Sequence, residues 1–177
     1  MGEVIVVFAA LVGVLALIGI GEAKPAKRPE STESQLLKPP RPVLQVMAKL
    51  LIPYILLFAL YVQFHGDFGP GGGFQAGVIF ASAIILFALT FSLSDALRLV
   101  PPAALRPLAA LGVLIYGGTG VASVLLGGSF LDYSVLAADP LSGQHYGILI
   151  IEFGVGLTVA TVMMLIFYAF MSRGEPQ

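Results

Sequence analysis

The sequence contains no cysteine and no tryptophan, and only two of its 177 residues are histidine. The absence of cysteine excludes disulfides, thiolate metal sites and cysteine nucleophiles. Because His65 and His145 are far apart in the chain, they argue against a histidine-based metal site. We therefore expect neither a bound metal nor a cofactor. Any interfacial aromatic belt must be built from tyrosine and phenylalanine.

Charge is also scarce, since only 11% of the residues are charged, whereas a soluble domain typically carries about 25%. Hydrophobic residues make up 58% of the chain, and the mean hydropathy is +0.96. This composition indicates an integral membrane protein. The formal net charge of −1 gives no reason to expect a nucleic acid as a partner.

Five apolar runs approach or exceed the roughly 20 residues that a helix needs to cross the hydrocarbon core. We therefore predict an all-α integral membrane protein with about five transmembrane helices, one N-terminal helix and a four-helix domain. The runs cover about residues 4–21, 42–64, 72–93, 107–127 and 146–170. The expected divisions are an N-terminal helix (1–22), a basic, proline-rich cytoplasmic linker (23–42), a membrane domain (43–172) and a cytoplasmic tail (173–177).

All nine lysines and arginines lie on one side of the membrane if the chain has five spans. They occupy the linker and the start of the next helix, the loop between the third and fourth runs, and the C-terminal tail. The positive-inside rule then places the N-terminus outside and the C-terminus in the cytoplasm. The outer side carries no lysine or arginine but holds His65, Asp67, Asp132, Asp139 and His145.

The stretch HGDFGPGGGF joins the second and third apolar runs. Pro70 cannot continue a helix, and the following glycines permit unusual backbone angles. We predict a tight turn in which Pro70 ends the segment from the second helix and Gly71 and Gly72 reverse the chain.

Small residues recur at four-residue spacing on two of the predicted helices. The third helix has Gly73, Gly77 and Ala81, and the fourth has Thr119, Ser123 and Gly127. This spacing lets helices approach closely in lipid. We interpret both stripes mainly as packing surfaces, with a substrate-lining role as the alternative.

Glu152 is an acidic residue within the fifth apolar run. It lies six positions after the predicted helix start at Tyr146, which is roughly 9 Å along a helix. Acidic residues inside membrane segments are costly and face protein or water. Two interpretations stay open: a group that handles protons or cations on a transmembrane path, or a protonated acid that hydrogen-bonds a neighbouring helix or subunit.

No enzyme signature is present in the chain. The glycines at 71–73 are not followed by the Gly-Lys-Ser/Thr of a phosphate-binding loop. Serine, histidine and aspartate occur, but no nucleophile elbow places them together. We therefore expect a protein without a catalytic site of its own.

Two segments resemble one known family. The string PGGGFQAG from Pro70 to Gly77, preceded by His65 and Gly66, resembles the signature of the MnhB/MrpB family, whose members are subunits of Mrp-type multisubunit Na⁺/H⁺ antiporters. The string IIEFGVGLT at 150–158 is similar to the last-helix motif of that family. The resemblance covers about residues 43–170. The chain departs from the family at Asp67, where members often have a histidine.

The resemblance implies an accessory subunit of a multisubunit Na⁺(cation)/H⁺ antiporter complex in a prokaryotic cell membrane. Its partners would be the other subunits and the lipid bilayer, and the complex would transport Na⁺ and H⁺. It would contribute to assembly and to a cation or proton path. The alternative is a structural subunit of a hydrogenase-like or other ion-pumping respiratory complex, because the same module occurs there.

The candidate site residues follow from both lines of reasoning. The candidates for an ion or proton path are Glu152, Asp67, His65, His145 and Asp132. The structural motif comprises Pro70, Gly71, Gly72, Gly73, Phe74 and Gly77.

Overall fold

The computed structural model describes residues 42–66 and 71–173, and these contain helices and no β-strand. The elements are α1 (Pro42–Phe64), α2 (Gly73–Thr90), α3 (Leu93–Leu99), α4 (Pro102–Leu125), a short 3-10 helix (Tyr133–Leu136) and α5 (Pro140–Arg173). Within this part of the chain, α1, α2, α4 and α5 are long and apolar enough to cross a membrane. The predicted all-α membrane fold with a four-helix domain is confirmed.

Several predicted features lie outside the described residues. They are the N-terminal helix at 4–21, the linker up to residue 41, Asp67 and Pro70 in the turn, and the tail after residue 173.

The predicted bounds of the second run agree with α1, but two later helices begin earlier than predicted. We expected the fourth helix to start at Pro107, whereas α4 starts at Pro102 and contains Pro107. Pro102 occupies the first turn, where a missing N–H costs nothing. The third run also ends early, because a separate helix, α3, follows α2.

The N-terminus of α5 is determined by Asp139. Its carboxylate accepts hydrogen bonds from the backbone N–H of Ser142 at 3.1 Å and from the Ser142 hydroxyl at 2.8 Å. Aspartate is a favoured N-cap residue and proline a favoured first helical residue, so α5 starts at Pro140 instead of Tyr146. The helix is 34 residues long, which is roughly 51 Å.

Helix α5 is the central element of the bundle. It packs against α2 on one side and α4 on the other, and α1 packs against α2. The α1–α2 turn and the α4–α5 loop lie at the same end of the bundle, which we call the loop end. At the opposite end, α3 packs into the core, and the hydroxyl of Tyr168 donates a hydrogen bond to the carbonyl of Ala96.

Glycines bring α5 close to both neighbours. An added Cβ at Gly77 on α2 would lie 2.6 Å from the carbonyl oxygen of Gly156. An added Cβ at Gly112 on α4 would lie 2.6 Å from the carbonyl oxygen of Gly154 and in collision with Thr158. Both contacts require a hydrogen in place of a side chain, as in tight helix pairs in lipid.

The predicted small-residue stripes are packing surfaces over most of their length. Ala81, Thr119 and Ser123 are buried. The two hydroxyl groups donate to carbonyls of their own helix, at Ile115 and Thr119 respectively. The prediction is wrong at Gly127, which follows the end of α4 with a φ of 90° and has no atom within 4 Å of an added Cβ. Its left-handed backbone explains why the helix stops before it.

Candidate functional site

Glu152 lies in the middle of α5 and not near its start. It is twelve residues after Pro140, or roughly 18 Å along the helix axis. The predicted distance of about 9 Å was measured from Tyr146 and is too short because Asp139 caps the helix six residues earlier. Glu152 is half-buried, and its Oε2 atom is shielded from solvent.

The α1–α2 turn closes through a backbone contact. The N–H of Gly72 donates a hydrogen bond to the carbonyl of Val62 at 3.3 Å, so the chain folds back onto the last turn of α1. Gly72 has a φ of 118°, a region that favours glycine strongly. The positive φ of Gly72 therefore explains how the chain reverses direction at this residue, as predicted.

The Glu152 carboxylate lies against the inner side of this turn. A Cβ added at Gly66 would lie 2.7 Å from both carboxylate oxygens, and one added at Gly72 would lie 2.9 Å from Oε1. The backbone of Glu152 is close as well, because a Cβ at Gly73 would collide with its carbonyl oxygen. Three glycines thus surround one glutamate, and we call Gly66, Gly72 and Gly73 the glycine cradle.

A buried glutamine of α1 packs against α5 one helical turn after Glu152. Gln63 on α1 is 7% exposed, and an added Cβ at Gly156 would lie 2.6 Å from its Oε1 atom. Gln63 also borders an open, apolar groove of about 340 Å³ formed by residues of α1, α4 and α5. The other residues lining this groove are Phe64, Ile115, Leu149, Ile150 and Phe153.

The two histidines occupy different parts of the loop end. His65 is exposed, directly precedes cradle residue Gly66, and stacks on Tyr61 with 4.8 Å between ring centroids. His145 is exposed on α5, seven residues before Glu152, so the two share one helix face at roughly 10 Å along the axis.

The loop that carries Asp132 packs nearer to the N-terminus of α5 than the glycine cradle does. Tyr133 contacts Gly143 through its carbonyl oxygen and Gly147 through its side chain. Gly147 is five residues before Glu152, which is about 7.5 Å along the helix. The structure therefore brings Glu152 together with the turn after α1 and places Asp132 beside the first turns of α5.

The two aspartates of the α4–α5 loop are ionised capping groups. Hydrogen bonds from the hydroxyl and N–H of Ser134 hold the pKa of Asp132 below its usual value. The corresponding bonds from Ser142 lower the pKa of Asp139. Both carboxylates accept local hydrogen bonds that order the loop.

Among residues 42–66 and 71–173, no group of three or more histidine, cysteine, aspartate or glutamate side chains has an arrangement that could hold a metal ion. The arrangement offers instead one carboxylate enclosed by backbone at a helix–turn contact. Such a group can exchange a proton or contact a dehydrated cation.

Sequence reasoning selected Glu152 but did not connect it with Gly66, Gly156 or Gln63. The signal for Gln63 was partly available, since it is one of two amide side chains in the apolar α1 segment, the other being Gln45. The signal for Gly66 was not, because only the packing of α5 against the turn gives that glycine its neighbour.

The fold and the site define the class as a helical membrane protein with several spanning helices and a half-buried carboxylate at a glycine-rich turn. The family model described as "Domain related to MnhB subunit of Na+/H+ antiporter" matches residues 43–165, so the chain belongs to this family.

Relatives in two staphylococci support the assignment. The antiporter subunit mnhB2 of Staphylococcus haemolyticus (strain JCSC1435) is 36% identical over 136 residues, which are 75% of this chain and 95% of that protein. The protein of the same name in Staphylococcus aureus (strain Newman) is 34% identical over 125 residues, 70% of this chain and 88% of that protein.

Proposed function

We propose that this chain is an accessory subunit of a multisubunit Na⁺/H⁺ antiporter complex and that Glu152 belongs to a cation or proton path of that complex. Membership of the MnhB family and the names of the relatives support the first part. The observation that carries the second part is the enclosure of the Glu152 carboxylate by Gly66 and Gly72.

The position of this carboxylate suits a transfer step. It lies where α5 meets the turn between α1 and α2, and the buried Gln63 packs against Gly156, one helical turn further along α5. An intramembrane carboxylate is costly unless protein or water surrounds it. A group that alternates between the acid and the carboxylate state at this position can pass a proton or neutralise a passing cation.

Neutralising Glu152 without changing its size tests this role. In Glu152→Gln, we expect Na⁺-dependent H⁺ exchange by the assembled complex in membrane vesicles to fall at least about tenfold, the equivalent of about 1.4 kcal/mol. Assembly, measured by co-purification of the other subunits, should be retained. The matched control is Asp95→Asn, which neutralises an exposed acid on α3 at the opposite end of the bundle.

A purely bracing role is the second candidate, favoured by the glycine contacts of α5 with α2 and α4. Deleting the chain while following both assembly and Na⁺ efflux separates the two. Loss of assembly on deletion, together with normal exchange in Glu152→Gln, would assign bracing alone. Co-purified antiporter-like subunits support the antiporter setting, whereas a nickel–iron or iron–sulfur partner would contradict it.

The orientation of this chain in the membrane is part of the proposal. By the positive-inside rule, the distribution of basic residues supports an outer location for the loop end in a prokaryotic cell membrane. Reporters attached to the two termini test this, since a cytoplasmic N-terminus would contradict the five-span arrangement.

A further inference from the structure

Among the described glycines of the turn, Gly66 makes the closest approach to the Glu152 carboxylate. Its added Cβ would lie 2.7 Å from Oε1, 2.7 Å from Oε2 and 3.0 Å from the carboxyl carbon. Both oxygens and the carbon between them therefore face this one position. Ordinary van der Waals contact begins at 3.4 Å, so an alanine there would require the carboxylate to move by 3.4 − 2.7 = 0.7 Å.

The backbone of Gly66 does not demand glycine. The glycines with a positive φ in the described part of the chain are Gly72 and Gly127, so Gly66 has a conformation open to other residues. At Gly72, by contrast, a φ of 118° explains the glycine without reference to Glu152. At Gly66 the structure shows a different reason for glycine, because a side chain there would occupy the space of the Glu152 carboxylate.

We propose that Gly66 is a positioning residue: its missing side chain admits the Glu152 carboxylate to the α1–α2 turn, which holds that carboxylate in its working place. This inference rests on the proposed role of Glu152 in the ion or proton path. Gly66 and Gly72 supply one wall of the site, and Oε2 is shielded from bulk water. An alanine at this position displaces the carboxylate while leaving its charge and its helix unchanged.

The first test is chemical and does not depend on transport. The complete complex in membranes is treated with a water-soluble carbodiimide and glycinamide, and amide formation at each carboxyl group is measured by mass spectrometry. Exposed Asp139 is the internal reference. We expect slow modification at position 152 relative to Asp139 in the wild type and a several-fold faster relative rate in Gly66→Ala.

The second test shortens the acidic side chain at position 152, so that the carboxylate fits beside an alanine at position 66. Glu152→Asp withdraws the carboxylate by about 1.5 Å, the length of one carbon–carbon bond, which exceeds the 0.7 Å required. In the pair Gly66→Ala with Glu152→Asp, we expect slow modification at position 152 again. We also expect more Na⁺/H⁺ exchange than in Gly66→Ala alone.

A matched control is available within the same turn. A Cβ at Gly71 would lie 3.0 Å from the carbonyl oxygen of Val62, with no Glu152 atom among its nearest neighbours. Gly71→Ala therefore strains the turn without occupying the space of the carboxylate. Glu152→Asp should not restore this variant. Gly118→Ala on α4, where an added Cβ meets no atom within 4 Å, controls for the substitution itself.

The outcomes that overturn the inference are specific. Modification of position 152 in Gly66→Ala at the wild-type rate would do so, as would equal restoration of Gly66→Ala and Gly71→Ala by Glu152→Asp. If Gly66→Ala prevents assembly, recovery of assembly in the pair supports the inference and its failure overturns it. Normal exchange in Glu152→Gln would overturn the proposed function alone, because the modification rates still decide whether Gly66 positions the carboxylate.

Discussion

Substitution of Gly77 by alanine measures how closely α2 must approach α5. The added Cβ would lie 2.6 Å from the carbonyl oxygen of Gly156 and 2.9 Å from Cβ of Val159. Reaching the 3.4 Å of ordinary contact requires the helices to separate by 3.4 − 2.6 = 0.8 Å. The backbone oxygen cannot rotate away as a flexible side chain could, so the separation extends along the interface.

The magnitude follows from two opposing effects. Overpacking of this kind costs about 1–3 kcal/mol, since a gap of 0.5–1 Å loses a quarter to a half of each dispersion contact beside it. Alanine also gains about 1 kcal/mol of helix propensity over glycine. Gly118→Ala has the same propensity gain on α4 but no atom within 4 Å of its Cβ. The difference between the two variants is therefore the packing cost, about 1–3 kcal/mol.

The assay compares thermal stability of the solubilised complex, followed as retention of this chain on size-exclusion chromatography after heating. Each kcal/mol corresponds to about 2–4 °C for a chain of this length. We expect the complex with Gly77→Ala to lose this chain at a lower temperature than the complex with Gly118→Ala. Equal midpoints for the two variants would refute the close α2–α5 approach that the structure shows.

Two further predictions concern the loop end and the core. Because hydrogen bonds from Ser142 lower the pKa of Asp139, its stabilisation of the α5 N-terminus is present at neutral pH and is lost as the pH falls through that lowered value. Protection of the amides at 141–143 against hydrogen exchange, relative to their intrinsic rates at each pH, should fall in acid and in Asp139→Ala at neutral pH, but less in Asp139→Asn. Separately, Leu105→Ala should lower stability by about 2–5 kcal/mol, because Leu105 is 1% exposed. Leu108→Ala, at a 36% exposed position, should change it little, and equal losses would contradict the burial.

The helical membrane architecture could be predicted because a bilayer imposes a simple requirement on each segment. A spanning helix needs about 20 apolar residues whatever its neighbours are, so composition and run length identified α1, α2, α4 and α5. Helix starts were less predictable. The cap formed by Asp139 and Ser142 is a local signal that hydropathy does not report, and it moved the start of α5 by six residues.

Contacts between distant residues depend on how the helices pack. A glutamate in an apolar run is visible in the sequence because its charge is costly in lipid, and the glycines after α1 are visible because they break helices. That Glu152 meets Gly66 and Gly72, however, depends on the register of α5 against α2. In this register Gly77 closely approaches the carbonyl oxygen of Gly156, and Gly73 closely approaches that of Glu152.

The sequence by itself therefore determined the class of protein, the number of helices in the family domain and the residue types available for chemistry. Only the tertiary structure decided that the acidic residue of α5 lies inside the turn between α1 and α2. The physical reason is that apolar run length is a property of one segment. The space for a carboxylate is created by two segments that are 86 positions apart (152 − 66) and meet only when the bundle is packed.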